Sequence, residues 1–239
     1  MARRAFPVGL RPRWRLALPL LLLSTPGRAV ARDERCTKAP LRIEAATDND
    51  LIHACEAWRR VEGFLVVQRG LRMTAPLDLI FAERVELDLG ATTLRVLGRY
   101  ERSRRILRVT SAQADWLREP DRLMFRQPID AEMHTSLIVH ELAHALLLDN
   151  FRVAEPGRVC SEYMAYVVQL ATMQPATLMR VLAQYPEDDF ASLAEITEIA
   201  HLMDPHGFGI RAYRHFMREG HATILDDILG GKVGTDLPM

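Results

Sequence analysis

The sequence predicts an α+β fold in which a small mixed sheet with one helix precedes a helical C-terminal half. Short runs rich in branched and aromatic residues, separated by glycine and proline, are typical of strands and occupy much of residues 64–110. From Pro128 onward the apolar residues recur at helical spacing instead. At the junction of the two halves, a strongly apolar predicted helix carries the pattern His-Glu-x-x-His at residues 140–144.

The first 31 residues have the three parts of a secretory signal peptide. Five arginines precede a short apolar run at residues 16–23, and small residues at 29–31 (Ala-Val-Ala) offer a cleavage site. The alternative is an uncleaved membrane anchor. Pro19 interrupts the apolar run, however, and the run is well short of the roughly 20 residues that a span needs. We therefore expect an exported protein, periplasmic or secreted, with no stable membrane span after cleavage.

Cleavage after residue 31 leaves one domain or two tightly joined subdomains, an α+β part at residues 32–127 and a helical metal-binding part at residues 128–239. Six of the 31 basic residues lie in the signal, which leaves 25 against 31 acidic residues. A mildly acidic chain argues against nucleic acid as a partner. No pattern in the sequence indicates an oligomeric state.

Three cysteines allow one disulfide. In an oxidising compartment Cys36 and Cys55 can close a loop of about twenty residues, which the chain-entropy model values at roughly 3 kcal/mol. Pairing through Cys160 is equally allowed, because spacing does not determine connectivity. Cys160 as a zinc ligand is disfavoured, because it has no C-x-x-C partner.

The N-terminal half contains the signals of one helix and several strands. Residues 47–50 (Thr-Asp-Asn-Asp) are capping residues, and the apolar residues that follow them predict a helix ending near Gly63. Strands are predicted at residues 64–67, 77–81, 85–89, 92–97 and, after a polar turn at 101–104, at 106–110.

The C-terminal half is predicted to be a series of helices. Asp130 is the expected N-cap of a helix that runs to Leu148, and residues 149–150 (Asp-Asn) would end it. The next helix is predicted at residues 159–173, before Pro175. Further helices are predicted at residues 176–184, 190–203, 208–219 and 222–229. A buried apolar stripe is expected on the helix at 190–203, formed by Ile196, Ile199 and Met203.

The pattern at residues 140–144 predicts a metal site. Residues four apart lie on one face of a helix, so His140 and His144 can present two imidazoles to one metal ion. Glu141 can reach a water molecule held by that metal. Glu162 on the next helix is a third ligand if the two helices pack antiparallel, and His₂Glu is a known ligand set for Zn²⁺. The alternatives are core histidines that are merely hydrogen-bonded and a solvated glutamate.

This arrangement resembles the gluzincin group of zinc metallopeptidases, of the peptidase MA-like type. In that group a glutamate ligand follows the His-Glu-x-x-His helix by eighteen or more residues, and Glu162 lies eighteen residues after His144. The resemblance covers about residues 98–230. It implies a zincin-like fold in which the strand at 106–110 is an edge strand that pairs with extended substrate.

The sequence differs from this group at one position. The family often has an aspartate four residues after the glutamate ligand, where it supports a metal-bound histidine. This chain has Tyr166 at that position. Asp149 and Asp204 are the remaining candidates for the supporting role.

Enzymes of this group use a downstream tyrosine or histidine to stabilise the tetrahedral oxyanion. Residues 206–209 (His-Gly-Phe-Gly) are similar to the aromatic-x-x-Gly segment of the aminopeptidase branch, with His206 in the place of its tyrosine. Tyr213, His215 and His201 compete for this role. The glycine-rich exopeptidase loop of that branch is missing, so an aminopeptidase specificity does not follow.

Together these residues predict an exported zinc-dependent metallopeptidase that acts on a peptide or protein substrate with Glu141 as general base. Two other interpretations stay open. A catalytically inactive zincin-like protein would bind a partner or a metal without turnover. A di-iron helical protein would use two E-x-x-H pairs, Glu141 with His144 and Glu198 with His201. That interpretation needs four long helices, whereas the first half is predicted to be strands.

Overall fold

A computed structural model describes Cys36 and residues 39–88, 90, 92–219 and 221–232. The predicted signal peptide lies outside these residues. The described strands are β1 Leu41–Glu44, β2 Leu77–Ala82, β3 Val85–Asp88, β4 Thr93–Val96, β5 Gly98–Glu101, β6 Ile106–Thr110, β7 Leu123–Met124 and β8 Gln127–Pro128. The described α-helices are α1 Asp48–Val61, α2 Ala131–Leu148, α3 Arg158–Ala171, α4 Pro175–Leu182, α5 Glu198–Met203, α6 Pro205–Glu219 and α7 His221–Leu229.

The main sheet has four strands in the order β1-β2-β6-β5. β1, β2 and β6 run parallel, and β5 pairs antiparallel with β6. The predicted small mixed sheet in an α+β fold is therefore confirmed. β3 with β4 and β7 with β8 form two separate antiparallel pairs.

The predicted edge strand at residues 106–110 is internal, so this prediction was wrong. The strand forms as β6, but β2 and β5 pair with its two sides, and β5 is the outer strand at this end of the sheet. The sequence did not predict β5, because its residues, Gly-Arg-Tyr-Glu, have neither a branched apolar run nor a clear alternation of apolar and polar side chains.

The predicted strand at residues 64–67 is also wrong. A π-helical segment, Glu62–Val67, continues directly from α1 and buries Leu65. A four-residue apolar run fits a strand and a buried helical turn equally well, because it is too short to show either period. Gly70, with φ of 71°, follows this segment.

Helix α2 forms as predicted. The Asp130 side chain accepts a hydrogen bond from the backbone N–H of Met133 and caps the helix. Asp149 ends it and binds the Arg105 guanidinium through both carboxylate oxygens, at 2.7 and 2.9 Å. Most of α2 is buried, so the helix crosses the protein core and is held at both ends.

Helices α2 and α3 pack antiparallel, as predicted. Ser161 near the start of α3 contacts His144 near the end of α2, and Gln169 near the end of α3 bonds Ser136 near the start of α2. The backbone N–H of Gln174 reaches Glu132 still closer to the start of α2. Contacts that advance along one helix while they recede along the other define this orientation.

The predicted long helix at residues 190–203 is wrong. A single 3₁₀ turn, Leu193–Glu195, is followed by the short helix α5, for which the Thr197 side chain is the N-cap. Ile196 is buried, but Ile199 and Met203 are 60% and 81% exposed, so the predicted buried stripe does not form. An apolar helical spacing across a capping residue does not require one continuous helix.

One contiguous core joins both halves of the chain. Buried apolar residues from the sheet, α1, α2, α3 and α6 belong to a single cluster. α2 lies between the two halves and packs against α1 on one side and α3 on the other. No helix in the described part of the chain is long and apolar enough to span a membrane.

The disulfide connects Cys36 to Cys55, one of the pairings that the sequence allowed. Cys160 is buried in α3 and is not disulfide-bonded. The disulfide ties the segment before β1 to α1.

We expect Cys36→Ala to lower the free energy of unfolding by about 3 kcal/mol, because it releases the loop closure in the unfolded chain. Urea unfolding of the oxidised proteins measures this difference. Thiol titration in denaturant without reductant is expected to detect one thiol in the wild type and two in the variant. Three thiols in the unreduced wild type would contradict the pairing.

Candidate metal centre

Two histidines of α2 direct the same ring nitrogen at one point. One helical turn separates His140 from His144, and their Nε2 atoms are 3.0 Å apart. Glu162 on α3 faces the pair, with Oε2 at 3.5 Å from each Nε2 atom. The helix spacing aligns the histidines, and the antiparallel packing of α2 and α3 adds the carboxylate. The sequence-predicted ligand set is thus brought together.

The separations of these atoms fit a single metal ion. The ligand atoms of His140, His144 and Glu162 all lie within 4.8 Å of one another. Zinc bonds to histidine and carboxylate are about 2.0–2.2 Å long, so two tetrahedral ligand atoms lie about 3.3 Å apart. Observed separations of 3.0 and 3.5 Å match this value without any movement of the backbone. The residues present therefore fit a tetrahedral cation with one further position for water.

We refer to His140, His144 and Glu162 as the cluster. The charges of the two histidines affect the pKa of Glu162, and the charge of Glu162 affects the pKa of His144. Burial raises the pKa of the Glu162 carboxyl, but the adjacent His144 and His140 outweigh burial and hold this pKa far below its usual range. Burial lowers the pKa of His144, whereas the Glu162 carboxylate raises it, and the net shift is upward. Glu162 is therefore an anion that attracts positive charge, either protons on the imidazoles or a cation between them.

Ser161 orients one of the two histidines. Its Oγ lies 2.6 Å from Nδ1 of His144. When Nδ1–H donates to this hydroxyl, the proton is on Nδ1 and the Nε2 lone pair faces the cluster. Ser161 is not among the residues predicted from the sequence, although its position beside Glu162 on a helix facing α2 was a usable signal.

The other histidine has no such support. Nδ1 of His140 is buried and has no hydrogen-bond partner among the described residues. The Tyr166 ring packs edge-on against the His140 ring, with centroids 4.5 Å apart. Of the two proposed substitutes, Asp149 binds Arg105, and Asp204 accepts a hydrogen bond from the backbone N–H of Gly207.

Glu141 lies between the cluster and the sheet. Its carboxylate touches the outer strand: a Cβ atom at Gly98 of β5 would be 2.5 Å from Glu141 Oε1. Burial raises the pKa of Glu141, and the neighbouring His140 and His144 oppose this shift without cancelling it. A carboxylate with a raised pKa, next to two candidate metal ligands, is better suited to take up a proton than an ordinary carboxylate.

A third histidine reaches the cluster from α5. Nε2 of His201 lies 3.5 Å from Oε2 of Glu162, and His201 is only 4% exposed. Its Nδ1 atom has no hydrogen-bond partner in the described part of the chain. The Phe208 ring packs against it, with centroids 5.3 Å apart. Burial lowers the pKa of His201, which favours its neutral form.

The other predicted oxyanion residues have different described contacts. The His206 ring packs on Phe125, with centroids 4.8 Å apart, and Phe125 in turn packs on Tyr166. His215 accepts or donates a hydrogen bond at Nδ1 with the hydroxyl of Tyr163. Of the four candidates, His201 is the one in contact with a proposed ligand.

A turn with unusual backbone angles packs against Tyr166. Phe125 and Arg126 form the two-residue turn between β7 and β8, and both have positive φ, 50° and 60°. Phe125 is fully buried against Tyr166, and Arg126 stacks on the Tyr185 ring at 4.5 Å. Non-glycine residues adopt this conformation only when surrounding contacts hold them. The sequence has no glycine or asparagine there to indicate such a turn.

Arg158 connects the cluster to α5. Its Nε atom lies 3.4 Å from Oε1 of Glu162, and its Nη1 atom lies 3.4 Å from Oε1 of Glu198. Glu198 of the second E-x-x-H pair is thus bound to an arginine, while His201 of that pair is at the cluster. α5 itself is six residues long, unlike the long helices of a di-iron bundle.

Comparison with known proteins yields one match. Residues 41–238, most of the chain, match the model of a family described as "Family of unknown function (DUF6639)". No curated protein and no solved structure matches the chain.

We expect His144→Ala to abolish zinc binding and Ser161→Ala to weaken it 10- to 100-fold, because Ser161 orients the His144 ring. Competition titration against a zinc chelator measures both affinities, and the wild type is expected to bind one zinc per chain. Ser136→Ala is the matched control, because Ser136 lies in the same α2–α3 interface and bonds Gln169 instead. Equal affinity of the two serine variants would exclude the orienting role.

Proposed function

We propose that this chain, which belongs to the family of unknown function DUF6639, is a zinc-dependent metallopeptidase. One observation carries the proposal. Nε2 of His140, Nε2 of His144 and Oε2 of Glu162 converge, and Glu141 lies beside them under the outer strand of the sheet. Together they provide three donors for a metal and a carboxylate suited to act as a base.

The donor set supports zinc. Two imidazoles and one carboxylate are a known set for catalytic zinc, and three protein ligands leave a fourth position for water. Zinc bound there would lower the pKa of that water and polarise a scissile carbonyl. Ser161 would support the ligand His144 by fixing its tautomer, and Glu162 would itself be a ligand that adds a negative charge.

Glu141 is the proposed general base. It follows a ligand directly in the chain, so its carboxylate is close to the cluster without being part of it. It takes a proton from the attacking water and transfers this proton to the leaving amine. Its raised pKa places the carboxyl group closer to neutral pH, where both transfers are efficient.

His201 is the proposed oxyanion donor, in place of His206. Its Nε2 atom lies beside the Glu162 carboxylate, so the ring is adjacent to the place where the tetrahedral intermediate would form. A neutral imidazole carries one N–H, and the lowered pKa of His201 favours this form. Such a donor would stabilise the developing negative charge.

The outer strand β5 is the proposed docking strand for substrate. The backbone N–H of Thr110 bonds the carbonyl of Leu97, so alternate residues of this strand direct their peptide groups to β6. Gly98 and Tyr100 therefore direct theirs to the open side, where no described strand pairs. An extended peptide can add to this side by β-augmentation and pass directly over Glu141.

Export forms part of the proposal. The signal-like pattern at residues 1–31 and the Cys36–Cys55 disulfide both suit an oxidising compartment, periplasmic or extracellular. The proposed substrate is a peptide or protein met outside the cytoplasm.

A catalytically inactive zincin-like binding protein is the second candidate. One observation favours it. Tyr166 stands where gluzincins often have a supporting aspartate, and Nδ1 of His140 has no hydrogen-bond partner among the described residues. A metal ligand without this support binds metal less firmly. Glu141 favours the enzyme, because it is not one of the proposed ligands and a site that only binds metal would not need it.

We expect Glu141→Gln to retain one zinc per chain and to lower peptide cleavage by about 100- to 10,000-fold, because the amide cannot take up a proton. Cleavage of a peptide library with and without chelator measures the activity. Glu195→Gln, at an exposed carboxylate bound to Arg211, is the matched control. Zinc binding by a wild type that cleaves no peptide would favour the binding protein instead.

We expect His201→Ala to reduce kcat by about 100-fold with little change in zinc content, the size of effect seen when one oxyanion donor is removed. His206→Ala serves as the comparison, since His206 packs on Phe125 and not on the ligands. Steady-state kinetics on the best library peptide distinguish the two. A larger loss in His206→Ala would return the role to His206.

A further inference from the structure

The Glu141 carboxylate occupies the space that a side chain at position 98 would need. A Cβ atom built on Gly98 would lie 2.5 Å from Oε1, 2.6 Å from Cδ and 2.7 Å from Cγ of Glu141. Real Cβ atoms do not approach other heavy atoms this closely. Gly98 is not among the described glycines with positive φ, so its backbone conformation does not require glycine. Glycine is required at position 98 because the Glu141 side chain occupies the space of a Cβ atom.

We infer that Gly98 is a positioning residue for Glu141, with the bare backbone of β5 serving as the surface that holds the carboxylate in place. This inference rests on the proposed function for its catalytic meaning. The contact itself is independent of that function, because it joins a strand and a helix whatever reaction they support. Nothing in the sequence pattern indicated this role for residue 98.

The outer strand is the firmer of the two partners. β5 is bonded along its length to β6, and Arg108 of β6 also pairs with Glu101 of β5. The backbone of α2 holds Glu141, and its carboxylate is the end of a flexible side chain. A methyl group at position 98 would therefore displace the carboxylate and leave the adjacent ligands His140 and His144 in place.

The same residue would then define where a substrate is cleaved. Gly98 directs its peptide group to the open side of β5, where an added peptide strand would pair with it. Its α-carbon rests on the general base. The substrate bond held opposite Gly98 is thus the one nearest Glu141, and a shift of the carboxylate by about 1 Å is expected to cost about 100-fold in rate.

The first experiment tests the contact without any assay of function. Urea midpoints are measured for the wild type, Gly98→Ala, Glu141→Ala and the double variant. We expect Gly98→Ala to lower the midpoint in the presence of Glu141 and to have little effect when residue 141 is alanine. Gly63→Ala is the matched control, because no atom lies within 4 Å of its Cβ position. Equal midpoint shifts in both backgrounds would overturn the inference.

The second experiment tests positioning in the zinc-loaded full-length chain. We expect Gly98→Ala to lower kcat by about 100-fold while KM and zinc content stay close to the wild type. Gly63→Ala is the matched control here as well and is expected to leave kcat unchanged, because no atom lies within 4 Å of its Cβ position.

The outcomes separate the two proposals. A stability coupling together with no peptide cleavage by the wild type would overturn the proposed function and leave the Gly98–Glu141 contact established. Cleavage by the wild type, with kcat unchanged in Gly98→Ala, would overturn the positioning role and leave the proposed function intact. Loss of zinc in Gly98→Ala would also overturn it, because the ligands would then have moved.

Discussion

A partly buried carboxylate, that of Glu162, is the constraint on which the rest of the site depends. An ionised carboxylate is costly to remove from water unless positive charge or hydrogen bonds compensate it. Its Oε2 atom faces the Nε2 atoms of three histidines at 3.5 Å each, and its Oε1 atom faces the guanidinium of Arg158. These groups lie on α2, α3 and α5, so one partly buried charge joins three helices. A divalent cation would satisfy the carboxylate and both imidazoles of α2 together.

The register of α2 against its neighbours determines which side chains meet around this charge. Antiparallel packing with α3 matches Ser161 to His144 and Gln169 to Ser136, so a slip of one helical turn would separate Glu162 from both histidines. The sheet acts on the other side of α2. There β5 presents glycine where the Glu141 carboxylate lies. The proposed ligand His140 and the proposed base Glu141 are consecutive in sequence, but different layers of the fold hold them.

Local signals predicted local structure well. The Asp130 cap, the apolar period and the polar end residues located α2 correctly, because each of these depends on neighbours within one or two turns. The incorrect predictions share one cause. Residues 64–67 and 190–203 were assigned from apolar residues alone, and their conformation depends on the π-helical continuation of α1 and on the Thr197 cap. β5 was missed because its pairing with β6 supplies the stability that its own residues do not indicate.

The sequence by itself determined the two histidines, the adjacent glutamate and the glutamate of the next helix, because helical periodicity and a short connection restrict where these residues can lie. Only the tertiary structure decided that His201, and not His206, reaches Glu162, and that β5, and not β6, is the open edge above Glu141. Those choices depend on how segments distant in the chain pack against each other. Periodicity carries no record of such packing, since it describes which face of an element is buried and not what covers that face.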